Sequence, residues 1–343
     1  MPYNSAPFAD TTYYHYLRRT NRHRMHIIRY RKELKSEWDQ FVANAKNATF
    51  LFMRDYMDYH SDRVTDASLL FYKGNALRAL LPLNHNIADC TADSHGGLTY
   101  GGFILSNDSR MGEVTEMMRL TTEWAKEQLH AKKIIYKPTP YIYHLQPSQE
   151  DLYALFAIGA RLTGRSLSST IDNKARISFG QLRRRKAQKA AKEGITYKED
   201  NDYVTYWEIL TGLLAESHNC TPTHTVEEIE LLHSRFPDKI KLYTAYKAEK
   251  MLAGCVVYET KKTAHIQYIA SSPEGKEKGA LDGLFKYLFE NIYNKIEYID
   301  FGISTERRGA YLNEGLLFQK EGFGGRAVTY DIYEISLTDL EVV

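Results

Sequence analysis

The feature that most constrains how this chain folds is an order of predicted elements that occurs twice along its 343 residues. Each half reads as helices, a β-hairpin, a strand, a loop, an amphipathic helix and one more strand. The first hairpin joins Ser68–Tyr72 to Ala76–Leu83 through Gly74, and the second joins Lys241–Tyr246 to Cys255–Glu259. Apolar runs separated by a glycine-bearing turn are typical of hairpins. Repetition of a whole element order indicates internal duplication.

The helix near the end of each repeat has the clearest periodicity. Apolar residues from Val114 to Leu129, and again from Leu281 to Ile292, recur at helical spacing. One strand precedes each of these helices and another follows it; the four strands are Leu98–Leu105, Lys133–Lys137, His265–Ala270 and Lys295–Phe301. We therefore expect an α/β (α+β) protein with two tandem domains, each a mixed, mostly antiparallel sheet flanked by helices.

The domain boundaries follow from the positions of these elements. We assign residues 1–24 to an N-terminal tail, 25–150 to the first domain, 151–195 to connecting helices and a strand, and 196–343 to the second domain. The connecting segment includes an apolar helix, a serine-rich extended run and the basic helix Phe179–Glu193, which stops at Gly194.

Composition excludes several classes of protein. Apolar residues make up 43 % of the chain, which suits packed cores, and the net charge of +2 leaves electrostatic binding to local clusters. Cys90, Cys220 and Cys255 are far apart, which argues against a disulfide framework and a structural zinc site. The N-terminus has no apolar core of signal-peptide length. We expect a cytoplasmic protein that binds no metal.

Three stretches carry a family pattern. Residues 169–195 read as an extended segment and a basic helix ending in an Ala-Lys-x-Gly turn, and residues 216–258 as two helices and a hairpin. Residues 298–325 place Asp-Phe-Gly at a strand end, followed by a Lys-x-Gly-Phe-Gly-Gly turn. Together they resemble the Fem-type, FemAB-like branch of the GNAT superfamily of acyltransferases. The resemblance implies two tandem GNAT-like domains.

The resemblance also implies transfer of an acyl or aminoacyl group to an amine or hydroxyl. Two departures from the family pattern are visible. The helical arm that many peptidoglycan-type members insert in the second domain has no room here. The usual GNAT pyrophosphate loop, Q/R-x-x-G-x-G/A, is replaced by Pro273–Ala280. An acetyl-CoA or acyl-CoA donor is the first expectation, and an aminoacyl-tRNA is the alternative.

A donor site is expected where the strand ending at Ala270 leads through a glycine-bearing loop into a helix. Loops of this kind hold phosphates with backbone N–H groups. The residues expected to bind the donor are Ile269, Ala270, Ser271, Gly275, Lys276, Lys278, Gly279 and Ala280. The alternative is a solvent-exposed connection whose lysines have no ligand. The corresponding first-half loop, Ser106–Gly112, has one glycine and an aspartate, so we place the donor in the second domain.

Three residues are candidates for catalysis. Asp300, expected at a strand end, is a candidate to accept a proton from an incoming amine or to orient that amine; the alternative is a carboxylate that caps the next turn. Glu314 is the alternative base, or an ordinary surface glutamate. Tyr268 is a candidate to protonate the leaving thiolate or to pack against the donor chain; with 26 tyrosines in the chain, the alternative is a core or surface role. Strand alternation places His265 on the opposite face from Tyr268.

The acceptor is expected at the glycine-rich turn near the C-terminus. Lys320, Phe323, Gly324 and Arg326 combine flexible backbone with cations that suit a substrate phosphate. The alternative is a hairpin turn with charged flanks.

Two basic clusters remain, one from Arg183 to Lys192 and one from Arg18 to Lys32. Runs of this kind are usually solvated faces. The other possibilities are an anionic partner such as a sugar-nucleotide pyrophosphate, an acidic lipid head group or RNA.

Three functions are therefore open. The first is transfer of an acyl group from acyl-CoA to an amine or hydroxyl of a cell-envelope, sugar or peptide precursor. The second is aminoacyl-tRNA-dependent transfer to peptidoglycan. The third is a non-catalytic GNAT-fold module that binds a ligand or partner.

Overall fold

A computed structural model describes residues 24–218 and 221–338. Apart from Arg24, the predicted N-terminal tail lies outside the described residues, as do Cys220 and, in the first basic cluster, Arg18, Arg19 and Arg22. No helix in these two ranges is long and apolar enough to span a membrane. The helices are α1 (Lys35–Asn44), α2 (Arg54–Met57), α3 (Met111–Gln128), α4 (Glu150–Ala157), α5 (Gln181–Lys192), α6 (Tyr203–His218), α7 (Val226–Arg235), α8 (Pro273–Lys278), α9 (Ala280–Tyr287) and α10 (Glu314–Gly322).

The strands alternate with these helices along the chain. They are β1 (Met25–Arg29), β2 (Thr65–Asp66), β3 (Leu69–Lys73), β4 (Ala76–Leu81), β5 (Asn84–Asn86), β6 (Thr91–Asp93), β7 (Ile104–Leu105), β8 (Lys133–Tyr136), β9 (Arg161–Asp172), β10 (Thr196–Asp200), β11 (Ile240–Lys247), β12 (Lys250–Glu259), β13 (Thr263–Ser271), β14 (Tyr298–Ile303), β15 (Thr305–Glu306), β16 (Tyr311–Leu312) and β17 (Arg326–Ser336).

The strands form one large sheet, one smaller sheet and a short ribbon. The large sheet has the order β10-β11-β12-β13-β14-β9-β17-β8-β6-β5-β2, and the smaller one has the order β1-β3-β4-β7. Most neighbours are antiparallel; the parallel ladders among the described strands are β13 with β14 and β6 with β8. The predicted fold class is confirmed: the sheets are mixed and mostly antiparallel, with helices packed on them.

The two halves exchange strands where they meet. Strand β9 follows the elements of the first half but pairs with β14 of the second half. Strand β17, the last of the chain, pairs with β8 of the first half. Between them β9 and β17 form a long antiparallel ladder, from Arg326 opposite Thr170 to Glu334 opposite Arg161. One continuous sheet therefore joins the two repeats, and the linear boundaries given above stay a prediction.

The core is divided among three groups of buried side chains. One lies under α3 in the first half and includes Phe71 and Met117. Another lies under α9 in the second half and includes Phe285. The third spans the junction, where Trp38 and Tyr258 belong to the same cluster. Because this junction is dry and aromatic, the two halves pack as one body at their contact.

The structure differs from the sequence-based prediction at glycine-rich segments. Of the strand expected over Leu98–Leu105, only Ile104–Leu105 is regular, because the chain at Gly101 passes so close to Ser94 that a Cβ would lie 1.8 Å from the Ser94 carbonyl oxygen. The preceding hairpin, β5 with β6, was not predicted. The loop expected over Ser271–Gly279 is mostly helix α8, and α10 was also missed.

The helix expected over the apolar run after residue 150 is shorter than predicted. It ends at Ala157, and Gly159 adopts a φ of 72° that turns the chain into β9. The serine-rich extended run that follows this helix is therefore a twelve-residue strand, β9. Strand β9 can take its central place in the sheet because α4 ends early, at Ala157.

Gly279 provides a test of the packing between α5 and the α8–α9 turn. Its φ is 73°, and a Cβ there would lie 2.4 Å from the Lys186 carbonyl oxygen. We expect Gly279→Ala to lower the free energy of unfolding by about 2 kcal/mol or more, from backbone strain and steric clash together. The matched control is Gly112→Ala in α3, where a Cβ meets nothing within 4 Å. This control should stabilise by up to about 1 kcal/mol. Equal thermal midpoints for the two variants would contradict this packing.

Candidate functional site

A slot opens in the second half where two parallel strands separate. Strands β13 and β14 pair only at Thr263 with Tyr298, Ala264 with Ile299 and His265 with Asp300. Beyond His265, no strand of the described chain pairs with this edge of β13. The backbone groups of the next residues therefore face the gap between the strands, where a ligand can replace the missing ladder.

A β-bulge marks the same point of β13. Its register against β12 shifts between Ile266 and Tyr268, which leaves Gln267 as the extra residue. A bulge resets the alternation of side chains along a strand. His265 and Tyr268 therefore lie on the same face of β13, and the prediction that they lie on opposite faces is wrong. The alternation of side chains along the strand fails here because Gln267 has no partner in the ladder with β12.

Asp300 lies in the middle of β14 and has no exposed surface. Five side chains from both halves of the chain come within hydrogen-bonding distance of its carboxylate. To Oδ1 they are Ser168 Oγ at 2.5 Å and Thr170 Oγ1 at 2.7 Å; to Oδ2 they are His265 Nδ1 at 2.7 Å, Tyr330 OH at 2.8 Å and Tyr143 OH at 3.3 Å.

These contacts set the charge of Asp300. Burial alone would raise its pKa, but the hydrogen bond and charge of His265, together with the hydroxyls of Ser168 and Thr170, lower the pKa to about 2. An anion so stabilised is a poor proton acceptor at neutral pH. The geometry favours a positioning role for Asp300 over the direct proton transfer suggested by the sequence.

His265 is the group that Asp300 holds. Because Nδ1 faces the carboxylate, Nε2 is left without a hydrogen-bond partner among the described residues. The side chain is 14 % exposed and lines a small pocket between the halves, with a volume of about 10 Å³. Its other walls are Phe50, Leu51, Thr99, Tyr100, Tyr143, Tyr258, Thr260 and Gln267. Such a pocket holds about one water, so a larger acceptor requires its walls to move.

Tyr268 lies further along β13, on the same side. Its hydroxyl is 2.5 Å from His224 Nδ1, and its ring packs edge-on against Trp207. Burial raises the pKa of Tyr268 to about 12, so the phenol stays protonated. Burial also lowers the pKa of His224 to about 4, which keeps that imidazole neutral. Both residues are nearly enclosed beside the slot.

The expected donor-binding residues surround the far end of β13. Ser271, Ser272, Pro273 and Lys276 line a cavity of about 200 Å³ against α6. Lys276 is exposed and forms no ion pair among the described residues. By contrast, the Lys278 ammonium lies 3.2 Å from Glu193.

The two glycines of this segment are held by close packing. A Cβ at Gly275 would lie 2.3 Å from the Leu252 carbonyl oxygen, and Gly279 packs on Lys186. Ile269 and Ala270 lie on the strand edge that faces the slot, and Ala280 begins α9 in the core. These contacts favour Ser271 and Lys276, rather than the glycines, as ligand contacts.

The expected acceptor residues do not form one open surface. Lys320 is buried and donates to the carbonyl oxygens of Gly302 at 2.8 Å and Ile303 at 2.7 Å; burial lowers its pKa to about 8. Phe323 is a core residue, and Gly324, at φ 97°, packs on Ile177. Arg326 is exposed at the start of β17.

Glu314 is exposed in the first turn of α10. A carboxylate there is favoured by the helix dipole alone. The hydrogen bonds of the Asp300 cluster involve neither Glu314 nor Arg326. The structure therefore brings His265 and Asp300 together but leaves Glu314 and Arg326 apart from them.

The equivalent slot of the first half is filled. Strand β6 pairs in parallel with one edge of β8, and β17 pairs with the other edge of β8. The Gly101 N–H donates to the Lys137 carbonyl oxygen at 2.7 Å, which extends this filling beyond the strand. Within the described residues, the first half therefore leaves no unpaired strand edge at this point. No group of three or more His, Cys, Asp or Glu able to hold a metal ion occurs in the described ranges.

The fold and the family match define one class of protein. Residues 180–311 match the family described as acetyltransferase (GNAT) domain. This match covers most of the second half of the chain and indicates a GNAT domain of the N-acyltransferase type there. It begins just before α5 and includes the slot between β13 and β14.

Solved structures show the same fold over most of the chain. FemX is 13 % identical with a TM-score of 0.62, covering 89 % of this chain and 96 % of that chain. The C-terminal domain of a putative lysylphosphatidylglycerol synthetase from Agrobacterium fabrum is 15 % identical with a TM-score of 0.52, covering 76 % of this chain and 82 % of that one. A tandem GNAT protein from the clavulanic acid biosynthesis pathway is 9 % identical with a TM-score of 0.51, covering 92 % and 99 %.

No curated protein matches the chain by sequence. The tandem GNAT-like fold and the likeness to a Fem-type structure nevertheless confirm the resemblance drawn from the second-half motifs.

Asp300 offers a test of the site through stability. Its carboxyl pKa is lower in the folded chain, at about 2, than the ordinary value of 3.8. The ionised carboxylate therefore stabilises the fold by about 2 kcal/mol above about pH 4, and this stabilisation is lost as the pH falls towards about 2. We expect Asp300→Asn to unfold more easily at neutral pH, with the difference from wild type shrinking in acid.

Thermal denaturation at several pH values measures this difference. The exposed Asp238 provides the matched control, since Asp238→Asn should change stability little at any pH. A constant difference between Asp300→Asn and wild type across the acid range would show that the charge is not what stabilises the cluster.

Proposed function

We propose that the protein is a cytoplasmic acyltransferase that moves an acyl group from acyl-CoA to an amine, or a hydroxyl, of a cell-envelope, sugar or peptide precursor. The observation that carries the proposal is the position of the His265–Asp300 pair. It lies at the point where β13 and β14 separate, so a donor in the slot would bring its reactive end beside the imidazole.

The free edge of β13 supports donor binding in the second half. Among the described strands, none pairs with the backbone groups of Ile266–Ser271 on this side, and a cavity beside Ser271 and Lys276 lies at the end of the strand. The pantetheine amides of CoA would complete the missing hydrogen bonds, and Lys276 would face the phosphates. The occupied edges of β8 argue against the same arrangement in the first half.

The side chains support transfer by general base catalysis. The acceptor nitrogen attacks the thioester carbon while its proton passes to His265 Nε2. In this proposal a backbone N–H beside the bulge of β13 stabilises the oxygen that gains negative charge. The carbon–sulfur bond then breaks, and the thiolate leaves and takes up a proton. Tyr268, protonated and near the slot, is the proposed source of that proton.

Asp300 acts through His265 in this proposal. A carboxylate on Nδ1 fixes the ring orientation and the tautomer, and it stabilises the imidazolium that forms during transfer. Tyr143, from the first half, and Tyr330, on the exchanged strand β17, hold the carboxylate in turn. The acceptor would approach through the pocket between the halves, whose walls come from both.

An aminoacyl-tRNA donor is the second candidate. The observation that favours it is the position of the cation-rich helix α5, which packs directly on the α8–α9 turn beside the donor cavity. Competition between CoA and tRNA for the protein separates the two donors.

The first functional test is donor binding. We expect Lys276→Glu to weaken CoA affinity by about tenfold, because one charge-assisted contact to phosphate is replaced by repulsion. The matched control is Lys295→Glu, an exposed lysine with no ion pair among the described residues. Calorimetry with CoA measures both variants. Equal CoA affinities in the two variants would show that the phosphates of CoA do not bind in this cavity.

The second functional test is turnover. We expect His265→Gln to lower the rate of thiol release from acetyl-CoA by about a hundredfold or more, the usual contribution of a general base. CoA affinity should change little, because the imidazole does not bind the donor's phosphates. A small panel of amine acceptors, including amino sugars and short peptides, supplies the nucleophile. Full turnover in His265→Gln would show that His265 is not the general base.

If wild type binds CoA but transfers to no acceptor, the non-catalytic binding module becomes the better description.

The control for His265→Gln is Gln267→Ala, which alters the wall of the same pocket without removing a base. This variant should retain turnover within about tenfold, since no proton transfer depends on an amide.

A further inference from the structure

Helix α5 presents a stripe of cations with one apolar residue at its start. Leu182, Arg185, Lys189 and Lys192 follow one another at spacings of three or four residues, which places them on one face of the helix. Ala187 and Ala190, on the other side, are its buried residues. All four residues of the stripe are exposed.

The charge of this helix is largely uncompensated. Six of the twelve residues of α5 are Arg or Lys, and the helix has no acidic residue. Arg183 pairs with Asp282 at 3.2 Å, and Lys189 comes within 4.0 Å of Glu277. Arg184, Arg185 and Lys192 form no ion pair within the described residues. An exposed face with such an excess of positive charge attracts anionic partners.

Large apolar side chains are exposed on α5 and on the segments that meet its N-terminal end. Ile177 is 41 % exposed, Leu182 is 50 % exposed and Phe318, in α10, is 66 % exposed. The two elements are joined, since the Gly180 N–H donates to the Gly322 carbonyl oxygen at 2.8 Å. Phe318 lies one helical turn before Gly322. We call these three residues, with Arg184, Arg185, Lys189 and Lys192, the α5 surface.

We propose that the α5 surface docks on a membrane of anionic phospholipid. Cations beside exposed Leu, Ile and Phe are the combination that binds a lipid interface, where charges meet head groups and apolar side chains enter the acyl boundary. RNA would use the cations but gains little from Ile177 and Leu182. The proposal rests on this surface alone and does not require the acyltransferase activity.

Docking would place the second half of the enzyme against the membrane. Helix α5 touches the α8–α9 turn, where the Lys186 carbonyl oxygen lies against Gly279. The slot between β13 and β14 belongs to the same half. A protein without a membrane-spanning helix in its described ranges would thereby reach acceptors linked to lipid.

The experiment is co-sedimentation of the full chain with vesicles. One set is phosphatidylcholine alone, and the other contains about one third phosphatidylglycerol. We expect binding to the anionic set only. Arg185→Glu/Lys189→Glu/Lys192→Glu should weaken binding more than tenfold, because each cation near an anionic surface contributes independently. Leu182→Gln/Phe318→Gln should abolish the fraction that stays bound in about 0.5 M salt, where charge attraction is screened.

A matched triple variant controls for net charge. Arg110→Glu/Lys126→Glu/Lys132→Glu makes the same charge change at exposed positions of the first half, outside both basic clusters, and should leave binding within about twofold of wild type. Equal losses in both triples would overturn the proposal, as would unchanged binding in the α5 triple. Binding of wild type to a tRNA mixture but not to anionic vesicles would assign the surface to RNA instead. Donor binding is measured separately with CoA, so failure of either proposal leaves the other testable.

Discussion

The buried carboxylate of Asp300 is the interaction on which the rest of the structure depends. It is held by side chains from β9, β13 and β17 and by Tyr143 of the first half, so four separate stretches of chain meet at one charge. Removing a single partner would leave a buried anion undercompensated, which is far more costly than losing a surface contact. The cluster therefore fixes how the two halves meet.

Strand exchange is what makes this meeting possible. Because β9 pairs with β14, its Ser168 and Thr170 lie directly beside Asp300. Because β17 pairs with both β9 and β8, Tyr330 reaches the same point from the end of the chain. The halves thus share a sheet rather than merely a surface. A cleft built on such a junction is shaped by both halves, and the position of His265 is fixed by residues far away in sequence.

Local sequence signals predicted many of the elements but not the site. Amphipathic periodicity predicted α3 and α9, and glycine turns predicted the hairpin of β3 with β4, because these signals are local. The site depends on a bulge at Gln267 and on pairing between strands more than a hundred residues apart, neither of which has a local signature. Asp300 was identified as important from its strand, yet its role changes once its five partners are known.

Glycines misled the sequence reading in a consistent way. Gly275 and Gly279 suggested a phosphate loop, and Gly101 lay within a predicted strand. In the structure Gly275, Gly279 and Gly101 each allow one segment of chain to pack closely on another. A glycine shows that the backbone needs room, but only the fold shows whether the neighbour is a ligand or the chain itself.

The central claim is that the donor occupies the slot between β13 and β14, beside His265. Hydrogen–deuterium exchange of the full chain, with and without CoA, tests it directly, because a ligand that pairs with a strand edge protects the amides it covers. The account predicts slower exchange in peptides covering Ile266–Lys276 and little change around β6, β7 and β8. Protection confined to the first half, at CoA concentrations that saturate binding, would contradict it.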